Sequence, residues 1–425
     1  MSRLIDFESG LEDYFSPEIL SKYKKNTYVK WWLEMQRNYP IAIAKLRLRE
    51  PKANLFAAKI MRQAMRFQMT EAVLMIAIEL PTYHLFQGHH NQIEYYQEIE
   101  IKYRKIFEAE GLAKRYSYQI NKYFIKKIHS KKLVEKIEEA LEELDILAKK
   151  IDSYTFQIFS YDLKLKKYQL LKDDENILKI CNEALDKMYK KRFKVANQVL
   201  FMFNYPIIPI LIQQGDLKKA QQNIDKCYKF LNKKNNNWHV INSYEIILNF
   251  QLLNLKKVNA LLRKVKTYPT DLFRERYELF QSYADLWNED KTDATKYINT
   301  RFLNDVFEHQ KDKQGYNIAI VIVKILHLLK SETTESYDKL IEERDNISKY
   351  LRRALGDLGE DRSKIFLEML LQIPYCNFKK KDYEKRNKDR FEKLKSLPLE
   401  KYSASVEVEL IRYEVLNNRV LDFLK

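Results

Sequence analysis

Gln213–Leu231 reads QQGDLKKAQQNIDKCYKFL, and its spacing decides the fold class. Gly215 and Asp216 form a stop and a start: glycine accepts the left-handed conformation that ends a helix, and aspartate caps the next one. Leu217, Ala220, Ile224, Cys227 and Tyr228 then fall at i, i+3, i+7, i+10 and i+11, one stripe of a 3.6-residue helix. The small side chains of Ala220 and Cys227 let a neighbouring helix come close. This is a helical hairpin that cannot bury its apolar face alone.

The pattern returns on both sides. Leu255, Val258, Leu262 and Val265 repeat Leu217, Ala220, Ile224 and Cys227 at a distance of 38 residues, with Leu253 where a glycine is expected. Upstream, Ile177, Cys181, Ala184 and Leu185 head a third such helix, ILKICNEALDKM. With Gly215, Asp216, Leu217, Ala220, Ile224 and Cys227 in these places, the chain resembles the tetratricopeptide repeat family. The small residue of that family's first helix is replaced by Ile208 and Ile246. The resemblance covers about a third of the chain and implies an α-solenoid, a right-handed superhelix of helix pairs that binds proteins or peptides. Carried over position by position, its groove falls on Met202, Tyr205, Pro209, Ile212 and Gln213 in one repeat. In the next it falls on Val240, Ser243, Ile247, Phe250 and Gln251. These are mostly apolar, so an apolar peptide or a neighbouring helix fits better than an acidic C-terminus.

Composition extends the all-α reading to the whole chain. Only 7 Gly and 9 Pro occur in 425 residues, too few for a turn-rich β or α/β protein, while 45% hydrophobic content supports a continuous core. Three cysteines, widely spread and without a CxxC pair, point to a reducing cytoplasmic compartment, with Cys181 and Cys227 as small core residues. Met1 to Asp13 has no apolar run, so no secretory leader is expected, and no stretch is long enough to cross a membrane.

Taken in order, residues 1–15 are polar and expected to fray. N-terminal helical pairs follow over 16–150, a repeat core over 151–355 and a C-terminal cap over 361–425, with Gly356 and Gly359 as a joint in one continuous array. Tyr39-Pro40 is expected to end the first helix, Pro81 to kink or break another, and residues 91–109 and 111–128 to form separate helices. Pro206 and Pro209 are expected to bend a helix over 194–214. Gly88-His89-His90 lies where an interhelical turn belongs. His90, Glu94 and Glu98 share one helix face at metal-ligand spacing, but the polar turn is the simpler account. The 29 tyrosines are expected to fill seams between helices and reach solvent with their hydroxyls.

Catalytic signatures are missing from the sequence: there is no GxxxxGK, GxGxxG, GxSxG or HExxH. The expectation is a non-enzymatic protein- or peptide-binding scaffold needing no cofactor. A net charge of +17 opens a second class, nucleic-acid binding, against the simpler account of a mixed Lys/Glu surface. That class centres on Lys379–Lys395, KKKDYEKRNKDRFEKLK. Lys381, Lys385 and Lys388 share a face there, with Arg386 and Arg390 one step round, above a thin apolar stripe of Tyr383, Phe391 and Leu394.

Overall fold

The computed structural model of the chain describes residues 27–125, 131–231, 236–288, 316–355, 362–397 and 409–425, and every regular element among them is helical. The turn at Gly215 is built as its residues dictate. Gly215 sits at φ +77°, the Asp216 N–H reaches back to the Leu211 carbonyl at 2.9 Å, and the Asp216 carboxylate accepts from the Lys219 N–H at 3.2 Å. The two weaker copies use the same device with other residues. Lys172 (φ 54°) precedes Asp173, which caps the Asn176 N–H, and Leu253 (φ 53°) precedes Asn254, which caps the Lys257 N–H. A leucine in this left-handed conformation carries a Cβ penalty of about 1 kcal/mol that glycine avoids. The hydrogen bond from the Asn254 N–H to the Asn249 carbonyl, 2.8 Å, helps to hold it there.

The chain divides into two compact units between Pro206 and Ile207. This boundary falls inside the helix expected over 194–214, which the structure replaces with two short ones. Pro206 has no N–H to continue the ladder, so the chain turns at Tyr205-Pro206 instead of bending. The divisions drawn from the sequence lie elsewhere, within the units.

The first unit contains α1 (Thr27–Arg47), α2 (Ala53–Arg66), α3 (Thr70–Phe86), α4 (His90–Ile125), α5 (Lys131–Ala148), α6 (Tyr154–Leu171), α7 (Asp174–Tyr189) and α8 (Asn197–Asn204). Helices α1, α2 and α3 pack on one another, α3 lies along α4, and α4, α5 and α6 close a core of Ala109, Ala113, Ile120, Ile137, Leu144 and Phe156. At three places where an interruption was expected, the helix continues. Helix α1 runs through Pro40 and α3 through Pro81, because buried Met35, Ile41 and Leu46, and buried Ile76, Leu80 and Tyr83, keep each helix packed on both sides of its proline. Gly111 interrupts nothing, since Ala109, Ala113, Ser117 and Ile120 carry one buried face straight past it. Packing outweighs local propensity in all three places. The Gly88 turn does form, at φ +71°.

The second unit contains α9 (Ile207–Gln213), α10 (Leu217–Phe230), α11 (Asn236–Gln251), α12 (Leu255–Leu262), α13 (Asp271–Asp285), α14 (Tyr316–Ser331), α15 (Thr334–Leu355), α16 (Arg362–Leu370), α17 (Lys380–Ser396) and α18 (Tyr413–Phe423). Helix α14 packs against α13, α15, α16 and α18. Its stretch Ile318–Leu329 is buried all round, as expected of a helix this apolar. Its polar side chains are paired: Lys324 Nζ lies 2.6 Å from Glu343 Oε1, and His327 Nε2 lies 3.0 Å from both the Ser282 carbonyl and its hydroxyl. Tyrosines do fill the seams, but the buried hydroxyls bond inside the fold. Tyr283 donates to the Ala319 carbonyl at 3.0 Å, and Tyr383 donates to Asn417 Oδ1 at 3.0 Å. The frayed start, the part of the expected repeat core over 289–315 and the joint at Gly356 and Gly359 lie outside the described residues.

Candidate functional site

The residues of the groove carried over from the repeat resemblance are buried or half-buried. Met202 and Tyr205 belong to the first unit, where both are half-buried, and Tyr205 stacks on Phe201 with ring centroids 5.2 Å apart. In the second unit Pro209 and Ile212 are buried, and Gln213 is half-buried. Val240 is half-buried, Ser243 donates to the His239 carbonyl, and Ile247 and Phe250 are buried. Gln251 Nε2 donates to the carbonyls of Glu409 (2.6 Å) and Leu410 (3.1 Å). The chain's own C-terminal segment therefore takes the polar handle that a peptide would use.

That segment is tied down by a buried cation. Arg362, 3% exposed, binds Glu409 through Nε (3.1 Å) and Nη2 (2.8 Å), Glu414 through Nη2 (2.9 Å), and the Leu394 carbonyl through Nη1 (2.6 Å). Burial works against its charge. The hydrogen bonds and charges of the two glutamates outweigh burial and raise its pKa above the ordinary arginine value.

The lysine-rich helix α17 is peripheral, as its thin stripe implies. Tyr383, Asn387 and Leu394 are buried, while Lys381, Lys385 and Lys388 are exposed. The two arginines are partly engaged. Arg386 donates to Gln372 Oε1 at 2.8 Å and lies over the Tyr375 ring, and Arg390 comes within 4.0 Å of Glu368.

A second cationic site escaped the sequence reading. In the first unit a hollow of about 770 Å³ is lined by Arg62 and Arg66 from the end of α2, Gln68 from the turn after it, and Asp152 and Gln157 around the start of α6. Lys187, Lys190, Lys191 and Arg192 line it from the end of α7 and the turn beyond. Six cations thus face one carboxylate. Among the described residues only Lys191 is neutralised, by Asp152 at 3.3 Å, and it also donates to Gln68 Oε1 at 3.1 Å. Arg62 Nε reaches only the Ala58 carbonyl, and Lys187 lies over the Tyr161 ring. The C-terminal dipoles of α2 and α7 offset part of this crowding, by about 0.3–1 kcal/mol for each cation in a last turn. The Lys190-Lys191-Arg192 run was visible in the sequence; its meeting with Arg62 and Arg66 was not.

The remaining polar clusters are structural. His84, buried, stacks on Tyr96 and places Nδ1 3.4 Å from His89 Nδ1; burial and the neighbouring His89 lower its pKa. His90 and Glu94 are exposed, and no group of three or more His, Cys, Asp or Glu able to hold a metal occurs among the described residues. Glu110, 5% exposed, accepts from Thr70 Oγ1 at 2.7 Å and from Ser153, and burial raises its pKa. Cys181 and Cys227 fill the core as small residues, and burial pushes both thiols up to about 12. No helix among the described residues is long and apolar enough to cross a membrane. No protein-family model, curated protein or solved structure matches this chain.

Proposed function

We propose that this chain is a non-enzymatic helical-repeat protein, its hairpins following one another in a tetratricopeptide-like superhelix, that binds nucleic acid through the phosphates. The observation that carries this reading is the hollow of the first unit, where Arg62, Arg66, Lys187, Lys190 and Arg192 have no carboxylate partner among the described residues. They are exposed and crowd one hollow, which favours a counter-charge from solution, whereas the buried Arg362 is paired inside the fold. The exposed lysines of α17 add a second basic surface. Binding of labelled single- and double-stranded RNA and DNA, followed by fluorescence anisotropy at two salt concentrations, tests it. Affinity should fall with salt, and replacing Lys381, Lys385, Lys388 and Arg390 by Glu should weaken binding without loss of helicity. No saturable binding at low salt removes the reading.

One observation favours a protein-binding scaffold as the second reading. Along α4 and the end of α5, another hollow of about 770 Å³ has an apolar floor of Ile106, Ala109, Leu112, Leu147 and Ile151. Ile101 at its edge is 56% exposed, and Lys102, Lys105, Arg115 and Lys150 outnumber Glu98 and Glu108 around it. This suits an acidic amphipathic helix. A labelled acidic, leucine-striped peptide should bind and should lose affinity on Ile101→Glu; equal binding of a basic peptide with the same stripe counts against it.

A further inference from the structure

The hollow between α2 and α7 differs from a strand-tracking surface in one respect: its six cations line a single hollow. Arginines enter from one helix end, lysines and Arg192 from another, and Gln68 and Gln157 complete a lining rich in donors. A single-stranded backbone carries one charge per phosphate, so a compact hollow meets one or two of them and leaves most of its cations facing one another. An oligophosphate brings several charges within a few bonds. Guanidinium forks suit its paired oxygens, and ammonium groups suit the remaining charge. A volume of about 770 Å³ is also in the range of small-ligand sites, roughly 300–1,000 Å³.

We infer that this hollow is a receptor for a compact oligophosphate of two or three linked phosphates. The phosphates are either free or carried as the 5′ end of a nucleic-acid chain. The inference rests on reading the hollow as an anion site, and it commits that site to clustered phosphates rather than to a continuous backbone. Arg62, Arg66, Lys190 and Arg192 hold the phosphoryl oxygens. Lys191, already held by Asp152 and Gln68, positions the wall.

The test titrates the full chain with inorganic tripolyphosphate, pyrophosphate and orthophosphate at matched ionic strength, by calorimetry. Competition then uses single-stranded RNA carrying a 5′-triphosphate or a 5′-hydroxyl. The account expects one saturable site, tightening about tenfold with each added phosphate. Arg66→Glu with Lys190→Glu should abolish binding, and the milder pair Arg66→Gln with Lys190→Gln should weaken it while helicity is unchanged. Lys226→Glu with Lys229→Glu on α10, an equal change of net charge at exposed positions, should leave it intact. Binding of tripolyphosphate that no RNA displaces supports the oligophosphate site and overturns the nucleic-acid function. Equal binding of both RNAs with no competition by tripolyphosphate overturns the oligophosphate site and leaves the nucleic-acid function standing. Equal loss in the α10 control overturns it too, because diffuse charge then explains the binding.

Discussion

The hollow of the first unit and the Arg362 knot of the second handle positive charge in opposite ways. Around Arg362 one guanidinium is buried and matched by two carboxylates and a backbone carbonyl. In the hollow, six cations share one carboxylate. A charge removed from water must be paired where it lies, and the knot shows this fold meeting that requirement. Cations left unpaired but wet cost the fold little, provided that a counter-charge arrives from solution. The contrast separates charge paired inside the fold from exposed charge that, on the proposed reading, awaits a ligand.

The largest expected effect breaks the paired side. Arg362→Met removes the cation bonded to Glu409 and Glu414, leaving Arg412 as the charge beside both, and should cost about 3 kcal/mol in chemical denaturation. A loss under 1 kcal/mol would mean that the knot does not hold the C-terminal segment. The unpaired side should respond in the other direction. Arg66→Gln with Lys190→Gln removes two like charges from a crowded hollow, so stability should stay level or rise by up to about 1 kcal/mol, more at low salt. A clear loss would show that the helix dipoles need these cations.

A buried charge of the opposite sign in the same unit sharpens the comparison through pH. Burial raises the Glu110 pKa, so the folded state holds its proton where the unfolded state has released it. Stability from this group is complete below the ordinary glutamate pKa and declines as pH rises through the raised one. Glu110→Gln should flatten that decline in unfolding curves measured from acid to neutral pH; an unchanged slope would assign it to another group. The smallest effect concerns the backbone. Leu253 is exposed and left-handed, so Leu253→Gly should gain at most about 1 kcal/mol, whereas Gly215→Ala should lose a similar amount.

These residues also show what the sequence could reveal. Gly215-Asp216 announces its turn, and Asp173 and Asn254 are ordinary caps. Nothing local marks Lys172 or Leu253 as left-handed, because their conformation follows from the helices on either side. Pro40, Pro81 and Gly111 read as breaks, yet the faces around them stay buried on both sides. The lysine face of α17 was legible because it is a single helix. The partners of Gln251, the carbonyls of Glu409 and Leu410, could not be read locally because they lie 158 and 159 residues beyond it. The hollow stayed invisible for the same reason, since Arg66 and Lys190 meet only through the fold.

The most direct test is the salt dependence of single-stranded RNA affinity for the natural chain and for the Arg66→Gln, Lys190→Gln pair, measured by anisotropy. If these two cations neutralise phosphates, removing them should lower the slope of log affinity against log salt by about 1.4, or about 0.7 for each contact on a single strand. An unchanged slope with unchanged affinity would contradict the nucleic-acid reading, because the unpaired charge of the hollow would then meet no phosphate of the strand.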